Sequence, residues 1–259
     1  MMHSVTNNIP ALRKRLNRFF DEKVSHRARL NGFVNQLSDV ADVYIFGGLI
    51  REFTFKSIKN FKSDVDIVVQ VKDRAKYQEL LNSHNHDQNK FGGYRLALNQ
   101  WLVDLWEFED TWAFKEAIVQ CDEATSLLDT TFFNWDAAFY HYNSKKIECK
   151  ANYLQDISSK ILDINLEKNP NEFGAFIRSL KLIARTQAKT KSQLSSFIMN
   201  FLPETNDEDI KAYEYDHFKT CFLDDDFLHV ARERSQLWNN QETFSWATEK
   251  QHELPITNH

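Results

Sequence analysis

VYIFGGLIREFTFKSIKNFKSDVDIVV, residues 43–69, changes its periodicity twice and so decides the fold. Val43-Tyr44-Ile45-Phe46 is a β-branched and aromatic run that reads as a strand and stops at Gly47-Gly48. LIREFTF then suits a helix, and SDVDIVVQV (63–71) reads as a second strand with acids at its start. Two residues without side chains let the backbone turn sharply and offer its amides to a phosphate. A helix beginning at Gly47 and Gly48 would add its positive N-terminal end to that cradle. Arg51, one turn in, could contact a polyphosphate or pair with a carboxylate.

On a strand, residues two apart share a face, so Asp64 and Asp66 present two carboxylates side by side. Such a pair repels itself unless a cation lies between. Mg²⁺, which prefers oxygen ligands, suits that place. Asp104, in WLVDLW, lies on a further predicted strand that could pair beside the first. Three converging acids would hold two ions, one activating an attacking hydroxyl and one steadying a leaving oxygen.

Outward from this stretch, Pro10, Leu12, Leu16, Phe19, Phe20 and Val24 open a helical pattern that runs to about Leu37, with a break expected near Gly32. Downstream, residues 73–83 read as a helix, 84–90 as a polar turn, and GYRLAL and QWLVDLWEF as a hairpin. Residues 110–120 read as a helix, and 133–149 as a short helix or bend feeding a strand near Ile147. Beyond Asn152 only helical patterns are visible. Mixed α/β followed by helices predicts an N-terminal helical segment (1–40), a head domain (41–150), a helical domain (151–240) and a polar tail (241–259).

The chain has 259 residues, 42% of them hydrophobic, which is enough for a real core. Its apolar runs fall short of the roughly 20 residues that span a bilayer, and MMHSVTNNIPALRKR lacks the apolar stretch of a secretory signal. Cys121, Cys149 and Cys221 are too few and too scattered for a disulfide framework, so a reducing, cytoplasmic setting is expected. Net charge is −5, which excludes a global basic field. Between Arg13 and Arg29, however, Arg13, Lys14, Arg15, Arg18, Lys23, Arg27 and Arg29 face only Asp21 and Glu22. That strip is either the wet face of an amphipathic helix or a docking strip for a polyanion.

The stretch Gly47-Gly48-Leu49-Ile50-Arg51-Glu52 followed by Asp64-Val65-Asp66-Ile67-Val68-Val69 resembles the head of tRNA nucleotidyltransferases and bacterial poly(A) polymerases, in the DNA polymerase β-like nucleotidyltransferase superfamily. Their motif runs apolar-GGxxRD, a spacer, then DxD and an apolar strand; Glu52 replaces its final Asp. The resemblance implies a polymerase β-like head followed by an all-helical domain, with nucleotide bound between them. It implies that Asp64 and Asp66 bind catalytic metal, that Asp104 is the third acid, and that Gly47 and Gly48 grip the triphosphate. FNWDAAFY (133–140) lines up with the family's FTINALAY, placing Asp136 where the family has Asn in its nucleotide site. Thr130, Thr131 and Phe132 stand where the family has Arg-Arg-Asp. EFGAFIRSLKLIAR (172–185) resembles the family's base-reading helix, with Ala175 in place of an arginine. At 100° per residue, Arg178, Lys181 and Arg185 form one basic stripe on that helix, apart from Phe173, Phe176, Leu180 and Ile183. They are either a wet face or a wall for nucleotide or acceptor.

The expectation is therefore a Mg²⁺-dependent, template-independent transfer of a nucleoside monophosphate from a nucleoside triphosphate, using two ions, to an RNA 3′ end, most naturally tRNA. Other acceptors (a small molecule, a protein, another nucleotide, as in a toxin or defence factor) keep the same chemistry. A non-catalytic nucleotide- or RNA-binding module is the rival from a different class. His84-Asn85-His86-Asp87 reads as a solvated loop, Trp101, Trp106 and Trp112 as core, and Asp224-Asp225-Asp226 as a helix start.

Overall fold

The computed structural model describes residues 5–6, 8–22, 24–55, 64–88 and 92–247. Lys23 of the basic strip, Ser63, Asn89, Lys90 and positions 248–259 of the expected tail lie outside the described residues. The chain divides after Ser158 into two compact units, Met1–Ser158 and Ser159–His259. Among the described residues no helix is long and apolar enough to cross a membrane.

The first unit opens with α1 (Ile9–Asp21), capped by the Asn8 side chain, which accepts from the Ala11 N–H, with Pro10 in its first turn. α2 (Ala28–Val40) follows a 3₁₀ turn at Ser25–Arg27. The helical run therefore breaks at Glu22 and at 24–27, and Gly32, expected to break it, lies within α2. The reason is local hydrogen bonding. Arg27 and Asn31 donate to the Phe19 carbonyl, and Asn31 to that of Phe20, satisfying the end of α1. A single glycine costs a helix only about 1 kcal/mol, too little to interrupt the buried face of Leu30, Phe33, Val34 and Leu37.

Next come β1 (Ala41–Phe46), α3 (Gly47–Phe55), β2 (Val65–Val71) and α4 (Arg74–Asn82), the last capped by Asp73. β3 (His86–Gln88), β4 (Tyr94–Leu98) and β5 (Trp101–Glu107) follow. β3 lies where a turn was expected; it is a short edge strand held by backbone pairing with β4, which leaves no apolar alternation to read. Only one turn of the helix expected over 110–120 forms, α5 (Trp112–Lys115), and Ala117 at φ 51° ends the run. A 3₁₀ turn at Asn134–Asp136 leads into a hairpin of β6 (Ala138–His141) and β7 (Lys146–Cys149), in place of one strand. α6 (Tyr153–Ser158) closes the unit.

These seven strands form one mixed sheet in the order β3-β4-β5-β2-β1-β6-β7. Within it only β2 and β5 run parallel; the other pairs are antiparallel. Along one face Val43, Ile45, Ile67, Val69, Val103 and Leu105 are fully buried. On the other, Tyr44, Phe46, Val68 and Phe139 pack with Phe108, Phe114, Leu127 and Leu128 into a dry cluster edged by Trp106.

The second unit is mainly helical: α7 (Glu172–Thr186), α8 (Ser192–Phe201), α9 (Asp207–Phe218) and α10 (Asp225–Ser235). Asp224 caps α10 by accepting from the Phe227 N–H, as its sequence suggests. The unit also holds a small sheet that the sequence does not reveal, with β8 (Ile161–Leu162), β9 (Lys189–Lys191) and β10 (Thr243–Ser245) in the order β10-β9-β8. Strands of two or three residues are too short to show alternation. β10 lies in the stretch expected to be tail, because Phe244 and Trp246 are buried and the Trp246 indole donates to the buried Thr190 hydroxyl.

Candidate active site

The junction of β1 and α3 brings the two halves of the opening stretch together. Gly47 has φ +60°, a left-handed conformation that L side chains avoid. A Cβ placed on it would stand 3.2 Å from Oδ2 of Asp66, so any side chain there would crowd the carboxylate. Gly48 is the second residue of α3, within the turn whose N–H groups lack helical acceptors.

The sheet register lines up the acids. Asp66 on β2 is paired with Asp104 on β5, and Asp104 with Arg95 on β4. Paired residues share a face, so Arg95, Asp104 and Asp66 form a row across three strands. Asp64 precedes β2 by one residue and shares the Asp66 face by alternation. The same face carries Val68 and Trp106 two residues further on, where the dry cluster begins.

Arg95 grips this row. Its Nε donates to Asp104 Oδ1 at 2.7 Å and its Nη2 to Asp104 Oδ2 at 2.6 Å. Nη2 also stands 3.6 Å from Asp64 Oδ2. The hydrogen bond to Asp104 holds the guanidinium above its usual pKa against desolvation, and the charges of Asp104, Asp64 and Asp66 push the same way. All three acids thus act on one cation. As the side chains stand, no group of three acidic, histidine or cysteine side chains among the described residues is gathered to hold a metal ion. Asp104 has both oxygens on Arg95, whereas Asp64 and Asp66 supply hard oxygen donors on one face, which is the donor chemistry Mg²⁺ takes. The residues present therefore fit a divalent ion at Asp64 and Asp66.

Arg51 and Asp136 come together, as an ion pair with each other. Arg51 Nη1 donates to Asp136 Oδ1, and the two side chains are 14% and 18% exposed. Burial works to lower the Arg51 pKa, but the charges of Asp136, Glu52 and Tyr153 and the hydrogen bond to Asp136 together outweigh it, so the guanidinium stays protonated. Of the two uses the sequence allows Arg51, pairing with a carboxylate is the one made. The pair ties α3 to the 134–136 turn, which Asn134 also anchors by donating to Asp156 at 2.9 Å. Thr130 and Thr131 serve local turns, donating to the carbonyls of Leu127 and Phe133.

The basic stripe of α7 belongs to the second unit. Arg178 is exposed. Lys181 Nζ lies 4.4 Å from the centre of the Phe218 ring, and the Arg185 guanidinium 5.4 Å from that of Phe222. The Phe222 loop is fixed by Glu214, a buried carboxylate that accepts from Thr220 Oγ1 and from the N–H groups of Phe222 and Leu223. Ala175, at the position of the family's base-reading arginine, is fully buried.

The N-terminal strip is divided in use. Arg27 is 4% exposed and bound to the Phe19 carbonyl and Glu22, Arg15 donates to the Phe53 carbonyl, and Arg18 pairs with Glu22. Arg13, Lys14 and Arg29 are exposed.

Arg95 is the site residue that sequence reading missed. A hairpin turning at Asn99-Gln100 sets Arg95 opposite Asp104, so the register could have disclosed it.

A seven-stranded mixed sheet with a Gly-Gly helix start beside a D-x-D strand gives the chain the fold seen in solved CCA-adding enzymes, in keeping with what the 43–69 stretch resembles. No family model matches the sequence. No curated protein matches it either. Among solved structures it is similar to a Thermotoga maritima CCA-adding enzyme complexed with tRNA, at 13% identity and TM-score 0.57, over 86% of this chain and 53% of that one. It is also similar to a CCA-adding enzyme in complex with ATP, at 15% identity and TM-score 0.55, over the same shares, and to a tRNA-processing enzyme complex, at 15% identity and TM-score 0.53, over 78% and 55%. The chain spans about half the length of these proteins. The likeness is one of fold.

Proposed function

We propose that the protein is a Mg²⁺-dependent nucleotidyltransferase that moves a nucleoside monophosphate from a nucleoside triphosphate to an RNA 3′ hydroxyl, of the tRNA class, releasing pyrophosphate. The observation that carries this reading is the closeness of Gly47 to Asp66, where an added Cβ would stand 3.2 Å from the carboxylate, which supports reading phosphate cradle and metal acid as one site. Fold relatives whose structures are described with ATP and with tRNA support the choice of substrate classes.

The chain's own residues divide the work. Asp64 and Asp66 would hold the divalent ion. When bound, Mg²⁺ supplies Lewis-acid polarisation of the phosphates and lowers the pKa of a coordinated hydroxyl. The amides of Gly47, Gly48 and the following turn receive phosphate oxygens, helped by the positive end of α3. Asp104, beside Asp66 in the sheet, is the third acid that the resemblance assigns to activating the acceptor hydroxyl, and here its carboxylate is held by Arg95. Arg51 and Asp136 position this machinery by locking α3 to the 134–136 turn. Arg178, Lys181 and Arg185 would line the path of nucleotide or acceptor. Positioning and charge neutralisation supply most of the rate in such transfers.

The acceptor is tested by incubating the protein with each α-labelled nucleoside triphosphate, Mg²⁺ and total tRNA, then separating RNA, protein and small molecules. Label on RNA is expected. Label on protein or on a small molecule would overturn the RNA acceptor and retain nucleotidyl transfer.

A further inference from the structure

The position of Arg95 raises the question of how many ions the acid cluster holds. A cross-strand ion pair on an exposed sheet would need only Asp104. Arg95 does more: its fork takes both Asp104 oxygens, and Nη2 reaches across to Asp64 at 3.6 Å, so one side chain spans an acid of β5 and the acid just ahead of β2. Paired forks of this kind are the strong form of carboxylate recognition, and a guanidinium cannot give up its charge as a lysine can. Asp104 is also the less exposed of its two partners, at 18% against 44% for Asp64.

From this geometry we infer that Arg95 is a resident cation of the cluster: it withholds Asp104 from metal ligation, so that Asp64 and Asp66 hold one divalent ion and not two. A second ion would meet a fixed positive charge and an acid whose two oxygens are both hydrogen-bonded to it. The inference rests on the nucleotidyltransferase reading and refines its metal count. Arg95 acts here as a positioning residue, through Asp104.

Mn²⁺ titration of the full chain, followed by the electron paramagnetic resonance signal of the free ion, tests it without reference to turnover. The wild type should bind one Mn²⁺ per chain, and Asp64→Ala/Asp66→Ala none. Arg95→Gln should bind two, with the first at least tenfold tighter than in the wild type. Arg95→Gln/Asp104→Asn should return to one, since the second ion needs the released carboxylate. Arg95→Lys, which keeps the charge while losing the fork, should bind the first ion no more than a few-fold more tightly than the wild type. Arg95 is half exposed, so these variants should keep the wild-type circular dichroism spectrum. Two ions in the wild type, or an unchanged count and affinity in Arg95→Gln, would overturn the inference and leave nucleotidyl transfer standing. No Mn²⁺ bound by any variant would overturn both.

Discussion

Arg51 shows how far a single residue could be read. One turn into α3, it was equally placed to meet a phosphate or a carboxylate, and only the tertiary position of the 134–136 turn decides for Asp136. A largely buried pair of this kind is costly to break from one side, because the remaining charge loses its partner. Arg51→Met or Asp136→Asn alone should each lower stability by about 3 kcal/mol. The double variant should cost clearly less than the two losses added together. Urea denaturation of all four proteins measures this, and simple additivity would mean that the pair does not hold the turn. Gly47 and Asp66, by contrast, were legible from spacing alone. A strand that ends in glycine and a strand that begins with acids must be neighbours for either to matter, and the antiparallel pairing of β1 with β2 makes them so.

Elements were legible where their pattern was long enough to repeat. β1, β2 and the β4–β5 hairpin follow from runs of β-branched, aromatic and apolar residues, and the start of α10 at Asp224 from its acidic run. The break between α1 and α2 was misplaced, since it depends on Arg27 and Asn31 reaching back to the carbonyls of Phe19 and Phe20. The same finding separates the basic strip into two kinds of residue. Arg13→Glu with Lys14→Glu should weaken tRNA binding and flatten the slope of log affinity against log salt by about two. Arg27→Met should instead lower the urea midpoint by removing a buried donor, with no change in that slope. An unchanged slope in the Arg13/Lys14 variant would make this face of α1 an ordinary solvated surface.

At the scale of the whole molecule, the sequence revealed an α/β head, a helical second part and a place for the Asp104 strand beside the Asp66 strand, but not the order of the whole sheet. The parallel pairing of β2 with β5 is the decisive adjacency, because it sets Asp66 beside Asp104. It requires β3 and β4 to lie outside β5, which no local pattern states. The β8–β10 sheet was hidden for the opposite reason, as each of its strands is too short to carry a pattern.

The central claim concerns which phosphorus is attacked, and labelled ATP measures that directly. Parallel reactions with α-labelled and γ-labelled ATP, Mg²⁺ and total tRNA should place the α label on RNA and release the γ label as pyrophosphate. Asp64→Ala/Asp66→Ala should abolish both. Arrival of the γ label on the acceptor, or transfer of the α label undiminished in the double variant, would contradict the assignment of this site to nucleotidyl transfer.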